Sequence, residues 1–93
     1  MSDVSNVDHP KHYQGSCSLE CIEVMRVTFG NKAVTYFCLL NAFKYLWRHR
    51  NKNGSEDIKK AKWYLDYINN NCIFDNTFAE KYTSLVNLYK KIT

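Results

Sequence analysis

Glycine and proline are scarce in this 93-residue chain, at three and one. No G-x-x-x-x-G-K-[ST] occurs, so a phosphate-cradling P-loop is excluded. Neither a Ser/His/Asp ordering nor a glycine-flanked nucleophile is present. No apolar run approaches a bilayer span, and the polar stretch from Ser2 to Gly15 is not expected to act as a secretory leader. The four cysteines (Cys17, Cys21, Cys38 and Cys72) form no C-x-x-C pair. Structural zinc is therefore not expected, and reduced, partly buried thiols are. Charge of one sign is also limited. The formal net charge of +4 suits a phosphate-bearing ligand but falls short of the basic stripe of a dedicated nucleic-acid binder.

What the chain has in quantity is aromatic side chains, 15% of residues with seven Tyr and two Trp. A single domain of this length buries a modest share of its surface, so rings in this number favour self-association, and a homo-oligomer is expected. Beyond the first eighteen residues the pattern is helical. Residues 1–18 read as an irregular arm and residues 19–93 as one helical domain: an all-α bundle of about four helices. Ser18 caps a first helix with Leu19, Ile22, Met25 and Phe29 on one face, stopped by Gly30-Asn31. A second helix is predicted from about Lys32 to Arg50, with an apolar stripe of Tyr36, Leu39, Phe43, Leu46 and Trp47. Ser55 is expected to cap a third helix, in which Ile58, Ala61, Leu65 and Ile68 repeat at helical spacing until Asn69-Asn70-Asn71. Thr77-Phe78-Ala79-Glu80 reads as a capping box opening a fourth, whose buried face is Tyr82, Leu85, Tyr89 and Ile92.

Asn41, Lys44 and Arg48 fall three and four residues apart on the second helix, with Tyr45 beside them. An amide, an ammonium and a guanidinium in line suit phosphate oxygens and a base edge. A solvated helix face is the plainer reading of the same spacing. Lys52, Lys59 and Lys60 cluster across the following loop and helix start, and Glu56 and Asp57 occupy the first turn, where helix capping accounts for Glu56 better than for Asp57. In the arm, Asp8-His9-Pro10-Lys11-His12-Tyr13 offers two imidazoles and a phenol, too few ligands for an expected metal site. Glu20 and Glu23 stand one helical turn apart, but the second acidic pair that a magnesium pyrophosphohydrolase needs is incomplete.

Taken together, Val7-Asp-His-Pro-Lys-His-Tyr13, Leu19-Glu-Cys-Ile22, Asn41-Ala-Phe-Lys-Tyr-Leu-Trp-Arg48 and Lys52-Asn-Gly-Ser-Glu-Asp-Ile-Lys-Lys-Ala-Lys-Trp-Tyr-Leu65 form an ordered set. The set resembles the SaV-like family of small bacteriophage proteins, some of whose members are described as deoxynucleoside monophosphate kinases. It covers about residues 7–68 and leaves out the last helix. Leu40 stands where that family usually has glycine.

The resemblance implies a phage or prophage protein with a nucleotide ligand, expected in the cytoplasm of the infected host; the mild charge and the lack of a long apolar run add that neither a nucleic-acid nor a membrane partner is expected. Carried over by residue, it points to His9, His12, Tyr13, Asn41, Lys44, Tyr45, Arg48, Lys52, Asp57 and Lys60. Two functions from different classes fit it. One is a binding protein that sequesters a nucleotide immune signal, which needs no cofactor. The other is a nucleoside monophosphate kinase using Mg²⁺, with Asp57 orienting the acceptor or the metal at a site between subunits. A protein-interaction inhibitor acting through the aromatic surface is a lesser alternative.

Overall fold

The computed structural model describes residues 18–51 and 54–93. Four helices make up the described chain: α1 (Leu19–Phe29), α2 (Asn31–Arg48), α3 (Gly54–Asn71) and α4 (Asn76–Ile92). No strand occurs among the described residues.

The helix ends follow local chemistry. Ser18 caps α1 in extended conformation, its hydroxyl accepting from the Cys21 amide at 3.0 Å. Gly30 separates α1 from α2 with φ 98° and ψ 164°, a region essentially closed to side chains bearing a Cβ. That one residue lets two helices meet with no further linker. Two expected boundaries move. Helix α3 begins at Gly54, which places Ser55 inside it. Helix α4 is capped by Asp75, whose carboxylate accepts from the Phe78 amide at 2.9 Å, so the Thr77 capping box is not used. An ionised cap two residues earlier satisfies the orphan amide and meets the positive end of the helix dipole.

Helices α2 and α3 form the principal packed pair. Arg48 meets Asp57, Lys60 lies over Tyr45, and Phe37 packs edge-on to Tyr64. Those partners run in opposite chain directions, so the pair is antiparallel. Ala42 and Ala61 are fully buried, the small side chains that let two helices approach closely. Around them sit Val34, Cys38, Tyr64 and Ile68, all without exposed surface. Helix α1 adds the fully buried Ile22. It is tied to α3 by Arg26, which donates to the Tyr67 hydroxyl at 2.6 Å and to the Asn31 side chain. Tyr67 in turn donates to Glu23 at 3.1 Å. Helix α4 leans on α2 through an aromatic cluster of Tyr36, Phe78 and Tyr82 with Phe74 of the preceding loop, and on α3 through the Tyr82 hydroxyl, which donates to the Leu65 carbonyl at 3.2 Å.

The face of α2 turned inward differs from the expected stripe. Leu39 and Leu46 are buried as anticipated, but Tyr45 is also inside at 2% exposure, whereas Phe43 and Trp47 stand 45% and 69% exposed. On α1, Phe29 likewise faces outward. The cause is geometric. Helix α2 packs chiefly against α3, with lighter contact to α1 and α4, so α3 decides which side of it is covered.

Candidate functional site

Helix spacing sets Lys44 and Arg48 one turn apart on α2, and the hairpin brings the start of α3 against them. The result is a ring of cations around one aromatic side chain. Lys44 Nζ lies 4.5 Å from the centroid of Tyr45, Lys60 Nζ 5.4 Å and Arg48 Cζ 5.5 Å. Tyr45 itself is near-parallel to Tyr64, at 6.2 Å and 12°. The buried phenol ring is thus a fixed floor over which three cations from two helices gather. Each gains modestly from the ring quadrupole, about 0.5–1 kcal/mol at exposed sites. Their mutual repulsion leaves the cluster suited to an anion.

Among the described residues one carboxylate serves this cluster. Asp57 has no exposed surface, and its Oδ2 accepts from Arg48 Nε at 3.4 Å. Its Oδ1 is buried without a hydrogen-bond partner among the described residues. Buried polar atoms are normally paired, so an unpaired carboxylate oxygen beside a cation cluster is uncommon in a structural ion pair. The neighbouring Glu56 is exposed. The two acids of the first turn of α3 are therefore separated: Glu56 faces water and Asp57 faces Arg48.

The expected residues divide in three ways. Lys44, Tyr45, Arg48, Asp57 and Lys60 come together. Asn41 lies on the same helix but donates its amide to the Phe37 carbonyl at 2.9 Å, a back-bond within α2. His9, His12, Tyr13 and Lys52 lie outside the described residues. Tyr45 serves as the floor of the site and is not part of a solvated strip. Lys59 does not join the cluster; it lines a separate shallow depression with Lys62, Trp63 and Asp66. Tyr64, beneath Tyr45, was not anticipated. Its place between Ala61 and Leu65 in the α3 repeat was the available signal.

Among the described residues no group of three or more His, Cys, Asp or Glu gathers to hold a metal, and Glu23 is engaged by Tyr67 and Arg26. Mg²⁺ is commonly held by one or two carboxylates together with substrate phosphates, so Asp57 fits only a metal that arrives with a phosphorylated ligand. No helix among the described residues is long and apolar enough to cross a membrane.

Fold and site define a small all-α module with a cation-ringed tyrosine between two antiparallel helices. The family model described as a protein of unknown function (DUF3310) matches residues 7–66, and the chain belongs to that family. The match ends within α3, so α4 lies beyond it, in keeping with the motif-based resemblance. The Gene 1.7 protein of Enterobacteria phage T3 is 35% identical over an alignment of 66 residues that covers 67% of this chain and 40% of the relative. The matched region thus spans well under half the length of that phage protein. No solved structure matches the chain. Family membership and a phage relative are established in this way; neither match names an activity.

Proposed function

We propose that this protein binds the phosphate of a nucleotide at the Lys44–Arg48–Lys60 cluster and holds it without turnover, as a protein that sequesters a nucleotide signal would. The observation that carries this reading is the convergence of three cations on Tyr45 at 4.5–5.5 Å with Asp57 the one carboxylate paired with them among the described residues. Phosphate is the anion whose oxygens suit both a guanidinium fork and point-charge ammonium groups. Binding without turnover asks only for a donor-lined surface that displaces water.

A second reading, nucleoside monophosphate kinase, is favoured by the unpaired Oδ1 of Asp57. In that reaction an acceptor phosphate oxygen attacks the terminal phosphorus of a nucleoside triphosphate, and the bond to the bridging oxygen breaks. The cations would neutralise charge on the transferring group, and Asp57 would orient the acceptor or accompany its Mg²⁺. A site for two nucleotides would need a second copy of so small a chain. The longer phage relative leaves room for either reading.

The deciding experiment incubates the protein with a panel of nucleoside mono- and triphosphates and Mg²⁺, denatures it, and chromatographs the released compounds. Unchanged nucleotide in stoichiometric amount is expected. A newly phosphorylated species would replace sequestration with the kinase, and complete absence of bound ligand would remove both.

A further inference from the structure

Trp47 and Phe43 are large apolar side chains left in solvent on a helix that also carries the cation cluster. Trp47 is 69% exposed and Phe43 45%, and their rings lie 6.0 Å apart with a 33° tilt. Leu40, one turn earlier, is 61% exposed. Exposed apolar area of this size on one helix face marks a contact surface.

Its place relative to the phosphate site narrows the occupant. Side chains three and four residues apart on a helix stand about 5–6 Å from each other at Cβ, and Trp47 stands three residues after Lys44 on α2. That is the scale separating the phosphate of a nucleotide from its base. A nucleotide whose phosphate is held by Lys44, Arg48 and Lys60 can therefore lay its base on the indole. Phe43 widens the platform and Leu40 closes its apolar edge. Charge points the same way, because the charged side chains beside this ledge are cations: Lys44 and Arg48 on α2, and Lys81 of α4, which lines a groove with Leu40 and Phe43. A second copy of the chain docking there would bring a like-charged rim against them.

We propose that Trp47, supported by Phe43, is the base-stacking platform of the nucleotide site. This rests on the phosphate reading given above and adds the half of the ligand that the cation cluster does not contact. A ring face is tolerant of base identity, so the platform selects for a nucleobase without fixing which one. The same geometry makes ribose 5-phosphate and inorganic phosphate weak ligands, since they reach the cations and leave the indole bare.

The test uses the full chain and its Trp47→Leu variant, titrated calorimetrically with the 5′-monophosphates of adenosine, guanosine, cytidine and thymidine, with ribose 5-phosphate, and with inorganic phosphate. Trp47→Leu is expected to weaken the nucleotides by about ten- to hundredfold and to leave ribose 5-phosphate unchanged. In a Trp63→Phe background, where Trp47 is the remaining tryptophan, nucleotides should quench fluorescence and ribose 5-phosphate should not. Should that background fail to fold, the calorimetric comparison suffices. Nucleotide affinity that survives Trp47→Leu but falls with Arg48→Lys overturns the platform and leaves the phosphate site standing. An oligomer in light scattering that Trp47→Leu dissociates, with no quenching by any nucleotide, assigns the ledge to a second copy and also overturns the platform. Failure of every phosphate compound to bind overturns both readings.

Discussion

Replacing Arg48 by lysine keeps the charge and removes the fork, which separates what this side chain does for the fold from what it does for a ligand. Arg48 spans three roles at once. Its Nε meets the fully buried Asp57 at 3.4 Å, its guanidinium carbon lies 5.5 Å from the Tyr45 centroid, and its side chain keeps 36% exposure. With Nε directed at Asp57, the two terminal nitrogens remain for a phosphate. Lysine offers one nitrogen for all of this, so it can serve Asp57 or the ligand but not both well. Losing one charge-assisted hydrogen bond weakens binding by about 1.5–3 kcal/mol, roughly 10- to 150-fold in Kd. The fold should lose much less. Lysine keeps a positive charge for the fully buried Asp57, so the carboxylate is not left without a counter-charge, and exchanging one long contact for another costs on the order of 1 kcal/mol. In a chain of this size the melting temperature would then fall by no more than about 4–8 °C. Calorimetric titration with a nucleoside monophosphate gives the first quantity, and thermal unfolding followed by circular dichroism gives the second. An unchanged Kd would return Arg48 to a solvated helix face. A large loss of stability with intact binding would make the Arg48–Asp57 pair structural and remove it from the site.

Gly30→Ala should destabilise the chain by about 1–3 kcal/mol although nothing lies within 4 Å of the added methyl, because the cost is the backbone conformation itself. Urea unfolding with an unchanged midpoint would show that the α1–α2 junction relaxes freely. Burial raises the phenol of Tyr67 above its ordinary value, with Arg26 opposing and Glu23 adding to it, and burial followed by Asp66 does the same for Tyr82. A raised phenol pKa means that the folded state favours the protonated form. The associated stability is present in full below pH 10, the ordinary tyrosine value, and is lost as pH climbs through the higher folded values. Urea midpoints measured from neutral to strongly alkaline pH should fall above that point, and Tyr67→Phe with Tyr82→Phe should flatten the decline. An equally steep decline in the double variant would place its origin elsewhere.

Local chemistry was enough to find the four helices. A hydroxyl at Ser18, a glycine at position 30 and three consecutive asparagines at 69–71 each act within a turn of themselves, so their consequences can be read without knowing the fold. The slips at Ser55 and Thr77 were of the same local kind, where a neighbouring residue, Gly54 or Asp75, took the boundary. The pairing of Lys44 with Arg48 was equally legible, since helical spacing alone puts them on one face. What only tertiary structure decided was the orientation of α2. That helix is apolar around most of its circumference, and a nearly uniform surface has no periodicity strong enough to choose an inward face. Packing against α3 made the choice. It drew Tyr45 inside onto Tyr64, turned Trp47 and Phe43 out to solvent, and carried Asp57 and Lys60 across a short turn to meet Arg48 and Tyr45. A side chain's place on its own helix is a property of a few residues. Its burial and its partners depend on which other helix arrives, and that is set by the summed packing of the whole chain.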